Sequence, residues 1–289
     1  MLPSRASIPL LLIPTFTLST SLICPGKSGG LVFHHEQAQT PLWPSKVFFC
    51  CVLPAKPGDG GATGLASSAE VYNLLKVKHP EFIRKCEQEG VRYTVYAGPK
   101  QDTSKGAGRS WKSFFHAESK EECEAKMKAG GWEWEWGVGA DGSSLPDDFL
   151  KAKTPVLEAV KVAPGTDKKC FFNQLIATTA NALEFSKVGV DGGGFDPLTD
   201  IPTQAGVDAC VCFADGTSIP LEILLDAKQM CEDIAIDVQW QAGDVALVCN
   251  YLMMHARRPW KGEEGTHQVV ASLVEEPNCT SFGKSLVAL

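Results

Sequence analysis

The apolar positions of this chain cluster in short runs, and most of these runs have the period of a strand. Lys46-Val47-Phe48-Phe49-Cys50-Cys51-Val52 is a β-like stretch within residues 32–53. Residues 91–96 alternate apolar and polar side chains, as a half-buried strand does. Trp132, Trp134 and Trp136 alternate with Glu133 and Glu135, so a strand there has one aromatic face. Residues 154–162 and 170–176 read as a strand pair joined by the turn Pro164-Gly165-Thr166-Asp167. Residues 234–240, 245–254 and 269–274 read as further strands, with a turn at 241–244. Helical signals sit between them. Ser67 or Ser68 can cap a helix over 69–76, and Pro80 suits the first turn of 81–89, with Gly90 as its stop. Ser119-Lys120-Glu121-Glu122 is a capping box for a helix that ends at Gly130-Gly131, and residues 221–233 are helical. Residues 54–64, 98–110 and 187–208 carry the Gly, Pro, Ser, Lys or Asp content of loops. Many strands with inserted helices predict one β-rich domain over residues 31–289, a barrel or jelly roll.

Composition narrows the function classes. The chain has 289 residues, 44% of them hydrophobic and 21% charged, as in an ordinary globular protein. Its net charge of −7 argues against a binder of phosphate backbones, and the carboxylates between the tryptophans argue against a base-stacking platform. Eleven cysteines are scattered without a C-x-x-C, several inside apolar runs. They read as reduced, buried thiols, which fits an intracellular protein and excludes a zinc ribbon. Residues 1–30 differ from the rest. Arg5 precedes Ile8-Pro9-Leu10-Leu11-Leu12-Ile13-Pro14 and a Thr/Ser/Leu run, which has the shape of a targeting segment or of a disordered extension. That run is too short and polar for a stable membrane span, so the body is expected to be soluble.

Candidate chemistry centres on histidine. His79 and His116 give no signal beyond a surface position and an aromatic neighbour. Phe33-His34-His35-Glu36 is different. On a strand, residues i and i+2 share a face, so His34 and Glu36 project together and His35 points away. A histidine and a carboxylate are two thirds of the facial triad that holds non-haem Fe(II). His255 closes the apolar run from Val245 and is the candidate third ligand. H-x-E is common by chance, and ligand type alone also admits a zinc hydrolase.

Several blocks of the chain resemble, in order, the taurine dioxygenase/TfdA superfamily and its clavaminate synthase-like proteins. These are Phe33-His34-His35-Glu36-Gln37-Ala38-Gln39, Pro44 to Phe49, Gly60-Gly61-Ala62-Thr63 and Gly90-Val91-Arg92-Tyr93. They continue with Thr154-Pro155-Val156, Phe171-Phe172-Asn173-Gln174, and Trp240 through Asn250 to His255-Ala256-Arg257-Arg258-Pro259-Trp260. The resemblance implies a double-stranded β-helix and an Fe(II)- and 2-oxoglutarate-dependent dioxygenase. The iron ligands would be His34, Glu36 and His255, and Thr63 would help hold 2-oxoglutarate. The partners would be O2 and a small-molecule substrate that nothing in the sequence names. Oligomeric state is not legible either.

The pattern breaks in two places. The family places an arginine before an apolar strand after the distal histidine, where it pairs with the far carboxylate of 2-oxoglutarate. Aligned on Val269-Val270-Ala271-Ser272-Leu273, that position is Gln268, and His267 beside it is expected on the other face. Losing a charged partner for a buried carboxylate costs roughly 2–5 kcal/mol. The family also carries several tens more residues before the proximal pair, which implies a truncated N-terminal part here. Both breaks motivate the alternative of a catalytically impaired homologue serving as a binding or structural protein.

Overall fold

A computed structural model describes residues 30–101, 108–186, 196–262 and 265–274. The targeting-like segment up to residue 29, the middle of the 98–110 loop and residues 187–195 lie outside the described residues. Along the chain run β1 (Leu31–His34), β2 (Lys46–Leu53), β3 (Thr63–Ser67), α1 (Ser68–Lys78) and α2 (Pro80–Gln88). Next come β4 (Val91–Ala97), α3 (Trp111–Phe115), α4 (Lys120–Ala129), β5 (Glu133–Trp136) and β6 (Leu150–Lys153). The two-residue strands β7 (Lys161–Val162) and β8 (Lys169–Cys170) precede α5 (Leu175–Phe185), α6 (Gln204–Cys210) and β9 (Val211–Phe213). The last elements are α7 (Leu221–Ile234), β10 (Ile236–Val238), β11 (Val245–Cys249), β12 (Met253–Arg257) and β13 (Gln268–Val274).

Strand-rich architecture with several helices is as expected, and the helix boundaries follow their caps. Ser119 Oγ accepts from Glu122 N at 3.2 Å, and Glu122 Oε2 accepts from Glu118 N at 2.9 Å. Pro80 opens α2, and Gly90 (φ 75°) ends the turn after it, where a Cβ would stand 2.6 Å from Leu157 O. Four expectations are corrected. Residues 170–176 are not a strand: β8 stops at Cys170, and α5 starts at Leu175 after Asn173 Oδ1 accepts from Leu175 N. Only residues 161–162 of the stretch 154–162 pair with β8. The loop 187–208 already contains the start of α6, capped by Thr203. The run 245–254 is two strands, because a turn at residues 250–252 carries the chain from one sheet to another.

Two antiparallel sheets position the site. One has the order β1-β12-β3-β10, the other β11-β2-β13. A third sheet, β5-β6-β4-β9, carries α3 and α4, with Trp111, Met127, Trp132 and Leu150 packed between them. Strand alternation divides the first sheet. Phe33, Ala66, Met254 and Ala256 face a helical layer built on Leu75 of α1, Leu175 and Ile176 of α5, and Leu224 of α7. Phe33 is fully buried, and burying a phenyl ring of that kind contributes about 1.5–3 kcal/mol. The residues between them, His34 and His255, are therefore turned to the opposite side, toward the second sheet. The Phe49 ring of β2 meets His255 there edge-on, 5.1 Å between centroids.

Candidate metal centre

His34 and His255 are cross-strand partners of β1 and β12, and their rings lie 4.3 Å apart. Glu36 joins them, but not as a strand residue. β1 ends at His34, and Glu36 sits in the turn that follows, just before Gln37 at φ 56°. The same-face argument for His34 and Glu36 therefore does not apply. The carboxylate is aimed instead by Asn250. That fully buried side chain accepts from Glu36 N at 2.9 Å and donates to Glu36 O at 3.0 Å and Pro44 O at 2.8 Å. Asn250 lies in the turn between β11 and β12, so one side chain ties the Glu36 turn to the strand of His255. Sequence reasoning named Asn250 only as part of a block. A polar residue inside the apolar run 245–254 was the available signal for its role.

One ligand atom from each of His34, Glu36 and His255 lies within 4.8 Å of the others. Among the described residues this is the one His/Cys/Asp/Glu group with such spacing. Each donor is prepared differently. His34 Nδ1 lies 2.9 Å from Val32 O, and a carbonyl can only accept, so the proton sits on Nδ1 and Nε2 keeps its lone pair. His255 is nearly buried. Its Nε2 faces Glu36 Oε2 at 3.7 Å, longer than a hydrogen bond, and its Nδ1 has no partner. An ion between the three side chains would engage Nε2, and bonds of about 2.1 Å span a 3.7 Å gap. Two imidazoles and one carboxylate also match the donor set of non-haem Fe(II).

Electrostatics favour the ligating forms of His34 and Glu36. Burial, and then the neighbouring His255, push the His34 pKa from 6.5 down to about 4. Burial alone would raise the Glu36 pKa, but the adjacent His255 and His34 outweigh it and hold the carboxyl below its usual range. His35 points away from the triad, stacked on Phe172 at 4.6 Å, with its Nε2 3.3 Å from Phe171 O. Burial pushes its pKa well down.

The remaining expected residues fall nearby. Thr63 Oγ1 accepts from Trp240 Nε1 at 3.0 Å, and Thr63 is two positions from Leu65, the cross-strand partner of His255. Gln268 is exposed beside Leu53, at an irregularity in the β13–β2 register. His267 lines a cavity with Trp240, Gly60 and Gly61. Arg258 pairs with Glu232 and with Asp237, away from the triad. His79 is not merely a surface residue, since it pairs with Asp226 of α7 at 2.6 Å. The nine described cysteines are free, six of them buried. No described helix is long and apolar enough to cross a membrane.

Comparison with known proteins supplies the family. The chain is 32% identical over 241 residues to a clavaminate synthase-like protein of Arabidopsis thaliana, covering 83% of this chain and 64% of that one. It is 26% identical over 232 residues to the dapdiamide synthesis protein DdaC of Enterobacter agglomerans, covering 80% and 62%. The chain thus spans a little under two thirds of the length of these relatives. Among solved structures, asparagine oxygenase in complex with Fe(II), 2S,3S-3-hydroxyasparagine and succinate aligns at a TM-score of 0.42 and 15% identity, over 85% of this chain and 50% of that one. The sequence profile of the taurine catabolism dioxygenase TauD, TfdA family matches residues 19–271, and the chain belongs to that family.

Proposed function

We propose that this chain is an Fe(II)- and 2-oxoglutarate-dependent dioxygenase that oxidises a small molecule, with His34, Glu36 and His255 as the iron ligands. The reading rests on the convergence of those three side chains from a turn and two paired strands, in a member of the TauD, TfdA family. In this reading residues 31–289 are one domain, and the two sheets meeting around His255 are the halves of a double-stranded β-helix. When bound, Fe(II) with 2-oxoglutarate and O2 supplies the oxidising power for attack on a substrate C–H bond. The chain's own residues do the rest. The Val32 carbonyl holds the His34 ring with Nε2 free, and Asn250 fixes the Glu36 turn. Phe49 packs against the His255 ring and keeps bulk water from that side. Thr63 offers a hydroxyl beside the site, oriented by Trp240.

An anaerobic Fe(II) titration followed by 2-oxoglutarate tests the proposal. One Fe(II) per chain and a metal-to-ligand charge-transfer band are expected, with both lost in His255→Ala. Iron binding without any band, or a His255→Ala chain that binds iron as before, would overturn it.

The exposed glutamine at position 268 favours a second reading, an impaired homologue that binds rather than oxidises. Gln268→Arg separates the two. A gain in 2-oxoglutarate affinity of about tenfold or more, with turnover, means that the site is otherwise intact. No gain and no turnover favour the impaired reading.

A further inference from the structure

Gln174 stands just before α5, where a side chain ordinarily caps the helix, yet its side chain makes no capping bond. Its neighbour Asn173 takes that duty, with Oδ1 accepting from Leu175 N at 2.9 Å. The buried Gln174 amide reaches instead to the turn that carries Glu36. Its Nε2 donates to His35 O and, at 3.0 Å, to Gln39 Oε1. A backbone carbonyl can only accept, which sets the NH2 end of the amide against His35.

His35 O and Glu36 N belong to one peptide unit. Gln174 holds its oxygen, and Asn250 Oδ1 holds its nitrogen at 2.9 Å. A peptide is planar, so a bond at each edge leaves the unit little freedom to swing about the line joining its two α-carbons. Asn250 also holds the next peptide through Glu36 O at 3.0 Å. Without Gln174 the peptide before Glu36 would be held at one edge only, and the direction of the Glu36 side chain follows that peptide. The anchor is itself anchored. Gln174 N donates to Tyr93 Oη of β4 at 2.9 Å, and Tyr93 is buried. A line of hydrogen bonds thus runs from β4 through the start of α5 to the Glu36 turn, joining residues 139 positions apart in its last step.

We propose that Gln174 is a positioning residue for Glu36: together with Asn250 it fixes the plane of the peptide from which that carboxylate projects. The consequence for a bound ion rests on the proposed function; the pinning of the turn does not. Of the three donors, His34 and His255 lie in paired strands, and Glu36 alone lies outside one. It has no ladder to hold it, and the two amides take the ladder's place. A carboxamide suits the task because it is uncharged, so it orients the turn without rivalling Glu36 for a cation.

Gln174→Met keeps the length of the side chain and removes the donor. Co(II) titrated into the full chain, with its visible absorption recorded, reads affinity and donor geometry without turnover. Gln174→Met should weaken Co(II) binding about tenfold or more, as loss of groups that orient ligands does, and shift the visible bands. Tyr93→Phe, which removes only the acceptor for Gln174 N, should weaken binding less and in the same direction. Leu183→Ala truncates a buried residue near the other end of α5 and opens a cavity that destabilises the chain at least as much. It should keep the wild-type affinity and bands. Wild-type affinity and bands in Gln174→Met, or an equal change in Leu183→Ala, would overturn the proposal. Amide hydrogen exchange of the metal-free chain separates that failure from failure of the proposed function. Exchange at Glu36 N, relative to core amides, should rise several-fold in Gln174→Met and not in Leu183→Ala. An unchanged rate in Gln174→Met would overturn the pinning. A wild-type chain that binds neither Co(II) nor Fe(II), with the exchange change present, would sink the proposed function and leave the pinned turn standing.

Discussion

Asn250→Ala is the most informative single change in this protein, because it separates holding the proposed metal ligand Glu36 from being one. The side chain satisfies three backbone groups, Glu36 N, Glu36 O and Pro44 O, at 2.8–3.0 Å, and is itself fully buried. Truncation leaves those three groups without partners. Each orphaned group costs about 1–3 kcal/mol, and water entering the vacated space recovers part of that. A loss of about 3 kcal/mol in unfolding free energy is expected for the metal-free chain, measured by urea titration with an unchanged m-value. The Glu36 turn is then released, so Fe(II) affinity should fall at least about tenfold, as it does when groups that orient ligands are removed. Asn250→Asp sharpens the test. It keeps the acceptor for Glu36 N but sets a carboxylate oxygen against two carbonyl oxygens, so it should destabilise at least as much as alanine despite its matching shape. A stability loss under about 1 kcal/mol in both variants, with wild-type iron affinity, would refute the clamp.

Two further outcomes follow from the same geometry. His34 is held neutral, with its pKa lowered from 6.5 to about 4 by burial and by His255. Between those values the unfolded chain takes up a proton that the folded chain refuses, so the metal-free protein should lose stability as the pH falls from about 6.5 to about 4. His34→Gln should flatten that slope in pH-dependent urea midpoints; an unchanged slope would show that His34 is not the group responsible. Gly61→Ala should destabilise by about 1–2 kcal/mol more than Gly58→Ala. Both glycines have positive φ, but only at 61 would the new methyl also meet His267, whereas at 58 nothing lies within 4 Å. Equal thermal shifts for the two would mean that His267 moves aside freely.

Much of this molecule could be read from local chemistry. Ser119 with Glu122 and Pro80 with Gly90 mark helix ends because their partners lie within a turn in the chain. The alternating tryptophans of β5 pack one face on α3 and α4, as a period of two requires. What stayed hidden depends on contacts distant in sequence. Within the run from Val245 to Met254 only Asn250 is polar; the turn residues Tyr251 and Leu252 are apolar, and Tyr251 is buried against Phe172 and Trp43. The start of α5 follows apolar residues that fit a strand equally well, and Asn173 decides it through a hydrogen bond to Leu175 N. The triad was legible as residue types. Its geometry was not, because Glu36 leaves the strand and depends on Asn250 for its direction.

The Asn250 clamp also sets an order of events in the life of the chain. Glu36 and the side chain that orients it are 214 positions apart, and His255 lies beyond both. During synthesis the His34–Glu36 pair emerges early, with nothing to aim the carboxylate and no third donor. A competent ion site can close only after the β11–β12 turn has left the ribosome and docked against the Glu36 turn, a slow, non-local step. Under the proposed function, acquisition of iron is a late event, and a nascent or damaged chain that lacks this closure presents only a weak two-donor site. The proposed metal centre would then report whether segments distant in sequence have met.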